Sequence, residues 1–236
     1  MAALQTYTVQ DLLDEIYVNV DNDPTSSTDN TQDEWTARVR LINSGIREWA
    51  KQDVYWNELW TPYTHGSTIS ASQAYVLTMT DFIFAGSFAA FTLNGNVTYV
   101  EIVKPEEAFK FANTGSRACY ITGNNAVGWT LNLTWIPAVG DGVYYGATLS
   151  FNYYKAPLKM ALATDKPEMR DPSFLISYVS YIKNAFNGRT TLAEIYQSAM
   201  EESMDNMRIN NEVRVHYGGE EIEDNDLIRN SAALGL

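Results

Sequence analysis

Few side chains in this sequence have a type and spacing suited to chemistry near neutral pH. His65 and His216 are the two histidines, the residue type whose ordinary pKa places a charge change between about pH 5 and 8. His65 precedes Gly66 in a turn-forming stretch and reads as a surface histidine. His216 falls at the end of a helical pattern, where a cation suits the helix dipole. Adjacent carboxylates occur at Glu106-Glu107 and Glu201-Glu202. A glycosidase needs two carboxylates facing each other across a bond, a geometry that adjacency in the chain does not supply, so both pairs read as solvated faces. Asp21-x-Asp23 has the opening of a calcium loop, but Ser26 stands where that loop needs Gly and Gln32 where it needs Glu. Cys119, the one cysteine, sits between Ala118 and Tyr120 in a strand-like run and reads as a small buried hydrophobe. It excludes an internal disulfide, and no C-x-x-C pair offers a zinc site. No phosphate-binding loop, dinucleotide-binding glycine run, nucleophile elbow or H-E-x-x-H is present. The expectation is a protein that is not an enzyme and takes no metal or cofactor.

Charge narrows the field further. The chain has a net charge of −13 over 236 residues, placed mostly at its ends. Residues 1–34 carry eight acids and no base, residues 201–236 carry nine acids against Arg208, Arg214 and Arg229, and residues 35–200 come to +1. Gripping nucleic acid requires clustered Lys and Arg that displace counterions from the phosphates, and no such block exists. A surface that DNA passes without sticking fits the composition. No apolar run reaches the roughly 18 residues of a membrane span, and the first residues, MAALQTYTVQDLLDE, lack the basic and apolar regions of a signal peptide. Synthesis in the cytoplasm with no membrane partner is expected.

The elements that must position any site alternate between two periodicities. From Thr8, a candidate N-cap with Asp11 in the first turn, Val9, Leu12, Leu13, Ile16, Tyr17 and Val20 recur at helical spacing. The stretch DNDPTSSTDN at 21–30 reads as a loop. Thr31-x-x-Glu34 has capping-box spacing, and Trp35, Val39, Ile42, Ile46 and Trp49 follow at intervals of helical length. Tyr55, Trp56 and Trp60 form an aromatic exit, and Pro62 ends any helix there. Between about Leu59 and Met160 the pattern turns to strands at 73–77, 88–93, 97–103, 118–122, 130–136 and 147–154. Asn94-Gly95 is a hairpin signal, and Gly123-Asn124-Asn125 and Gly140-Asp141-Gly142 mark further turns. Trp129, Leu131, Leu133 and Trp135 alternate with Thr130, Asn132 and Thr134, as a sheet with one buried face requires.

Helix returns at Asp171-Pro172, an N-cap followed by a proline suited to the first turn, with Phe174, Leu175, Tyr178, Val179, Ile182 and Phe186 on one face. Asn187-Gly188 stops it. Thr191-x-x-Glu194 opens a last helix, to about Val213, whose apolar set is Leu192, Ile195, Tyr196, Ala199, Met200, Met204 and Met207. The expected fold is α+β: a bundle of about four helices from residues 1–58 and 170–217, an antiparallel β-sandwich or small barrel inserted at 59–169, and an extended C-terminal tail at 218–236. The packing core of the helices is assigned to Trp35, Val39, Ile42, Ile46, Trp49, Trp56, Phe174, Tyr178, Ile182, Leu192, Ile195 and Tyr196.

This order of elements resembles the head-to-tail adaptor (connector) proteins of tailed bacteriophages, closest to the podovirus tail accessory factors. The residues that carry the resemblance are IREWAKQDVYWNELWT from Ile46, STISASQAYVL from Ser67, SFNYYKAPLKMALATDKP from Ser150, and the helical return at Asp171. The resemblance implies a virion protein at the head-tail interface, a ring of identical subunits, commonly dodecameric, docked under the portal protein. Its far end would receive the tail tube or nozzle, while genome DNA passes through without specific binding. The tail would reach portal or a neighbouring subunit through Tyr217, Gly218, Gly219, Ile222, Leu227, Ile228 and Leu234; a polar segment with spaced apolar residues cannot form a core alone but can order on a partner.

Two features of the β region point outward. The run FIFAGSFAAF at 82–91 reads first as a strand packed in the core. A second reading makes it an exposed apolar loop whose Phe82, Phe84, Phe88 and Phe91 become buried against a neighbouring subunit or a tail protein. The aromatics Trp129, Trp135, Tyr144 and Tyr145 suggest an alternative function, a glycan- or receptor-binding β module on a helical anchor, because ring faces suit sugar stacking.

Overall fold

The computed structural model describes residues 7–21, 33–52 and 55–218. In chain order its α-helices are α1 (Val9–Asp21), α2 (Asp33–Ala50), α3 (Ala108–Thr114), α4 (Ser173–Phe186) and α5 (Thr190–Gly218). Its strands are β1 (Trp60–Thr64), β2 (Ala74–Leu77), β3 (Phe82–Leu93), β4 (Asn96–Ile102), β5 (Ala118–Asn124), β6 (Gly128–Leu133) and β7 (Thr148–Lys155). The chain divides into a helical unit, drawn from Met1–Glu58 and Pro157–Leu236, and a β unit, Leu59–Ala156.

In the helical unit the periodic apolar residues fix the faces. Val9, Leu12, Leu13, Ile16, Tyr17 and Val20 of α1 are all buried, as are Trp35, Val39, Ile42, Ile46 and Trp49 of α2. Thr8 and Asp11 cap α1 reciprocally: the Thr8 amide donates to Asp11 Oδ2 at 2.7 Å, and the Asp11 amide donates to Thr8 Oγ1 at 3.2 Å. Hydrogen bonds from the Thr8 backbone and then from its hydroxyl hold the Asp11 carboxyl below its ordinary range. Trp56 stacks on Trp49 with centroids 5.3 Å apart and donates its indole N–H to the Trp49 carbonyl at 2.9 Å. Asp171 opens α4 by accepting the Ser173 amide at 3.0 Å, and its second oxygen accepts the Ser203 hydroxyl of α5 at 2.9 Å. Past its end, Gly188 takes the left-handed conformation at φ 71°, which closes the helix without a Cβ penalty.

The β unit is one seven-stranded sheet in the order β1-β7-β3-β4-β5-β6-β2. Its hairpin at Asn94-Gly95 has both residues at positive φ, 52° and 82°, as a tight turn matched to strand twist requires. Most pairs are antiparallel, but β4 and β5 run parallel through Glu101↔Ala118 and Ile102↔Cys119. The connection between them contains α3, because parallel neighbours need a crossover rather than a turn. The sheet is curled. Tyr63 of β1 and Tyr75 and Leu77 of β2, from opposite edges, share one core with Phe91, Leu131, Leu133, Leu149 and Phe151. Tyr63 also accepts the Thr78 amide through its hydroxyl at 3.2 Å.

These observations correct the expected architecture in several places. The class is α+β, but the β unit is neither a two-sheet sandwich nor a closed antiparallel barrel: a single sheet curls as a half-barrel with β1 and β2 as its edges. The helical unit is not a regular four-helix bundle. Helix α4 is the common partner of α1, α2 and α5, because Phe174, Leu175, Ile176, Val179, Ser180 and Asn184 bury it over much of its circumference. Residues 157–169, expected with the strands, belong to the helical unit. The proposed capping residue Thr31, the loop at 22–30 and the tail from Gly219 lie outside the described residues.

Candidate functional site

Of the side chains first considered for chemistry, Cys119, His65 and the two glutamate pairs lie among the described residues. Burial pushes the Cys119 thiol up to about 12, with the Glu101 charge adding to it, so almost none is thiolate at neutral pH. His65 stands with Nδ1 3.5 Å from the Tyr63 hydroxyl and its ring edge-on to Tyr75. Glu107 pairs with Lys110 at 3.5 Å across one helical turn, and Glu201 and Glu202 lie on the exposed side of α5. Among the described residues no group of three or more His, Cys, Asp and Glu is placed to hold a metal ion, and no helix is long and apolar enough to cross a membrane. The side chain of His216 and the acidic loop after Asp21 lie outside the described residues. One open cleft of about 330 Å³ lies beside Tyr7, Arg170, Asp171, Asn206 and Asn210, but both Asp171 oxygens are occupied by the serine hydroxyls and amide around them.

Three of the four aromatics considered for sugar stacking, Trp129, Trp135 and Tyr144, pack against other rings of the β unit. Trp129 packs on Phe82 with centroids 4.6 Å apart. Trp135 meets Phe91 and Tyr144 at 6.0 and 5.0 Å, and Arg117 lies 4.5 Å over the buried Tyr144 ring. A sugar-stacking platform needs open ring faces, and these rings are engaged with one another; Tyr145 alone of the four has no such ring partner described, and it is half-buried. The run at 82–91 is strand, not loop. Phe82 and Phe91 enter the core, Phe84 stacks on Tyr154 and meets Trp60 edge-on, and Phe88 is half-buried.

The helical unit also presents apolar and charged residues outward. Trp35, Val39, Ile42, Ile46, Trp49, Trp56 and Phe174 are buried as expected for packing residues, while Tyr178, Ile182 and Tyr196 are half-buried. Leu192 and Ile195, assigned to the core, are instead 41% and 57% exposed, and Ile209 on the same helix is 58% exposed. The physical reason is that α5 packs through a different stripe, Ala193, Ser203, Met204, Met207 and Asn211, which leaves the first set on the solvent side. Phe186, expected on the inner face of α4, is 90% exposed at its end.

The outer face of α2 from Arg40 onward and the outer face of α5 carry opposite charge. On α5 the exposed acids are Glu194, Glu201, Glu202 and Asp205; on α2 and its last turn the exposed bases are Arg40, Arg47 and Lys51. Arg38, two residues before Arg40, is fully buried with its guanidinium 3.6 Å over the Tyr17 ring. Sequence reasoning missed this division, although Arg40 and Arg47 lie seven residues apart on the side opposite Trp35 and Ile42. Of the tail candidates, Tyr217 and Gly218 fall in the last turn of α5, with their side chains outside the described residues, as are Gly219, Ile222, Leu227, Ile228 and Leu234. No family model matches the chain, and no curated protein matches it.

Proposed function

We propose that this chain is a structural subunit of a tailed-phage head-to-tail joint, assembling as a ring that joins the portal to the tail and lets genome DNA pass. The observation that carries this reading is the solvent side of α5. A helix of 29 residues is about 44 Å long, and this one exposes Ile195 and Ile209 opposite the stripe it buries, with Leu192 exposed at that stripe's edge. A helix with apolar residues on two sides is suited to packing on two neighbours, one inside its own chain and one outside it.

The remaining support is electrostatic. The excess of acid at both ends of the sequence suits a protein that borders DNA without gripping it, since like charge lowers sticking to phosphates. In this reading the helices pack laterally, the β unit and the tail reach the other components of the joint, and no bond is made or broken. The test is to mix the full chain with portal rings of the same phage and image the product. The expected outcome is a second ring seated beneath the portal. A chain that remains monomeric and ignores portal refutes the proposal.

A further inference from the structure

We infer that α2 and α5 are the two halves of one interface between copies: the acidic face of α5 in one subunit lies parallel along the basic face of α2 in the next. The inference deepens the ring reading above and rests on it. On α5 the exposed acids Glu194, Glu201 and Asp205 are separated by seven and four residues; on α2 and its last turn Arg40, Arg47 and Lys51 are separated by seven and four as well. Lys51 still belongs to that turn, since its amide donates to the Arg47 carbonyl at 3.1 Å. At 3.6 residues per turn and 1.5 Å per residue, each trio falls within about 40° of arc and spans about 16 Å. Two helices side by side and parallel therefore bring all three opposite charges into register, whereas an antiparallel pair matches only two.

These charges are available for such pairing. Arg40, Arg47 and Glu194 make no side-chain hydrogen bond or ion pair among the described residues. Lys51 pairs only with Glu48 at 3.1 Å, Asp205 with Arg208 at 3.2 Å, and Glu201 accepts from Gln197 at 3.0 Å. All three are exposed contacts within one helical turn, weak enough to exchange. Ile195 lies next to Glu194 at one end of the acid trio, where the aliphatic stem of the facing Arg40 can cover it. The occupant is a second copy because the complement of each face, in sign and in spacing, is carried by the same chain. The two patches are different surfaces, so the contact is heterologous, the type that closes into rings when the rotation per subunit allows it.

The experiment uses the full chain in two triple variants, E194K/E201K/D205K and R40E/R47E/K51E, with folding checked by circular dichroism and assembly followed by sedimentation at low salt, alone and on portal rings. Like charges facing each other across an interface oppose association strongly, so each variant alone is expected to weaken self-association by about a hundredfold or more. An equimolar mixture restores it, because each variant then meets its complement, and so does a single chain carrying all six changes. The neutral set E194Q/E201Q/D205N serves if a reversal fails to fold, and is expected to lose the salt dependence of assembly. Wild-type assembly that both reversals leave unchanged overturns the pairing while the ring reading stands. A wild-type chain that never associates, even on portal, overturns both.

Discussion

Strand β6 and helix α5 both carry regularly spaced apolar residues, and they use them differently. In β6 Leu131 and Leu133 are buried, while Asn132 between them reaches Thr122 on the other face at 2.9 Å. In α5 the apolar residues lie on two sides: Ala193, Met204 and Met207 inside, and Leu192, Ile195 and Ile209 outside. A strand has only two faces, so parity decides which residue enters the core. A helix offers its whole circumference, and two apolar stripes in one sequence look like one broad stripe until the packing partner is known.

Substitutions in the two elements should therefore diverge, and the largest effect is expected in the strand. Leu131→Ala leaves a cavity in the centre of the sheet core and should lower unfolding free energy by about 2–5 kcal/mol, measured by urea denaturation; a loss below about 1 kcal/mol would remove the contrast with α5. Next comes Gly45→Val. A Cβ at Gly45 would stand 2.9 Å from Leu175 Cδ2 and 3.0 Å from the Tyr178 ring, so the added bulk should push α2 from α4 and cost about 1–3 kcal/mol, read as a lowered Tm.

Smaller effects sharpen the comparison at the surface. Ile195→Ser on the outer side of α5 should change unfolding free energy by less than about 0.5 kcal/mol while weakening self-association in sedimentation; a strongly destabilised variant would mean that this face packs within the chain. The smallest effect concerns pH. The Asp11 carboxyl is held below its ordinary value by the Thr8 backbone and hydroxyl. Its contribution is thus present above the unfolded value near pH 4 and lost as pH falls through the folded one. Thr8→Val should cost a few tenths of a kcal/mol at neutral pH, since solvent screens this exposed group, and the difference from wild type should shrink as pH drops below about 4.

What the sequence made legible follows from how local each signal is. The inner faces of α1 and α2, the Asn94-Gly95 turn and the alternation of β6 depend on near neighbours, and their residues could be named in advance. Strand β1 was obscured by Pro62, which stops a helix but fits an edge strand that pairs only with β7. The first half of β3 was open between strand and exposed loop, because its register on β7 shifts between Ala85 and Ala89, which breaks the two-residue period. The parallel pairing of β4 with β5 has no local signature. At the candidate interface, Arg38 and Arg40 look alike in sequence, and only the packing of α1 shows that one is buried over Tyr17 while the other faces solvent.

The pairing of Trp60 with Tyr154 joins the first strand of the β unit to its last. Entry and exit of this unit are therefore a strand's width apart, about 5 Å. To the chain that continues into the helices, the whole excursion is a loop closed by its own sheet. Closing a flexible loop costs more as it lengthens, though only logarithmically, and here the unit's own folding supplies the closure. The β unit can then be lengthened, trimmed or replaced by another fold with adjacent ends at small cost to its host. One helical framework could thus present different modules from the same point of attachment.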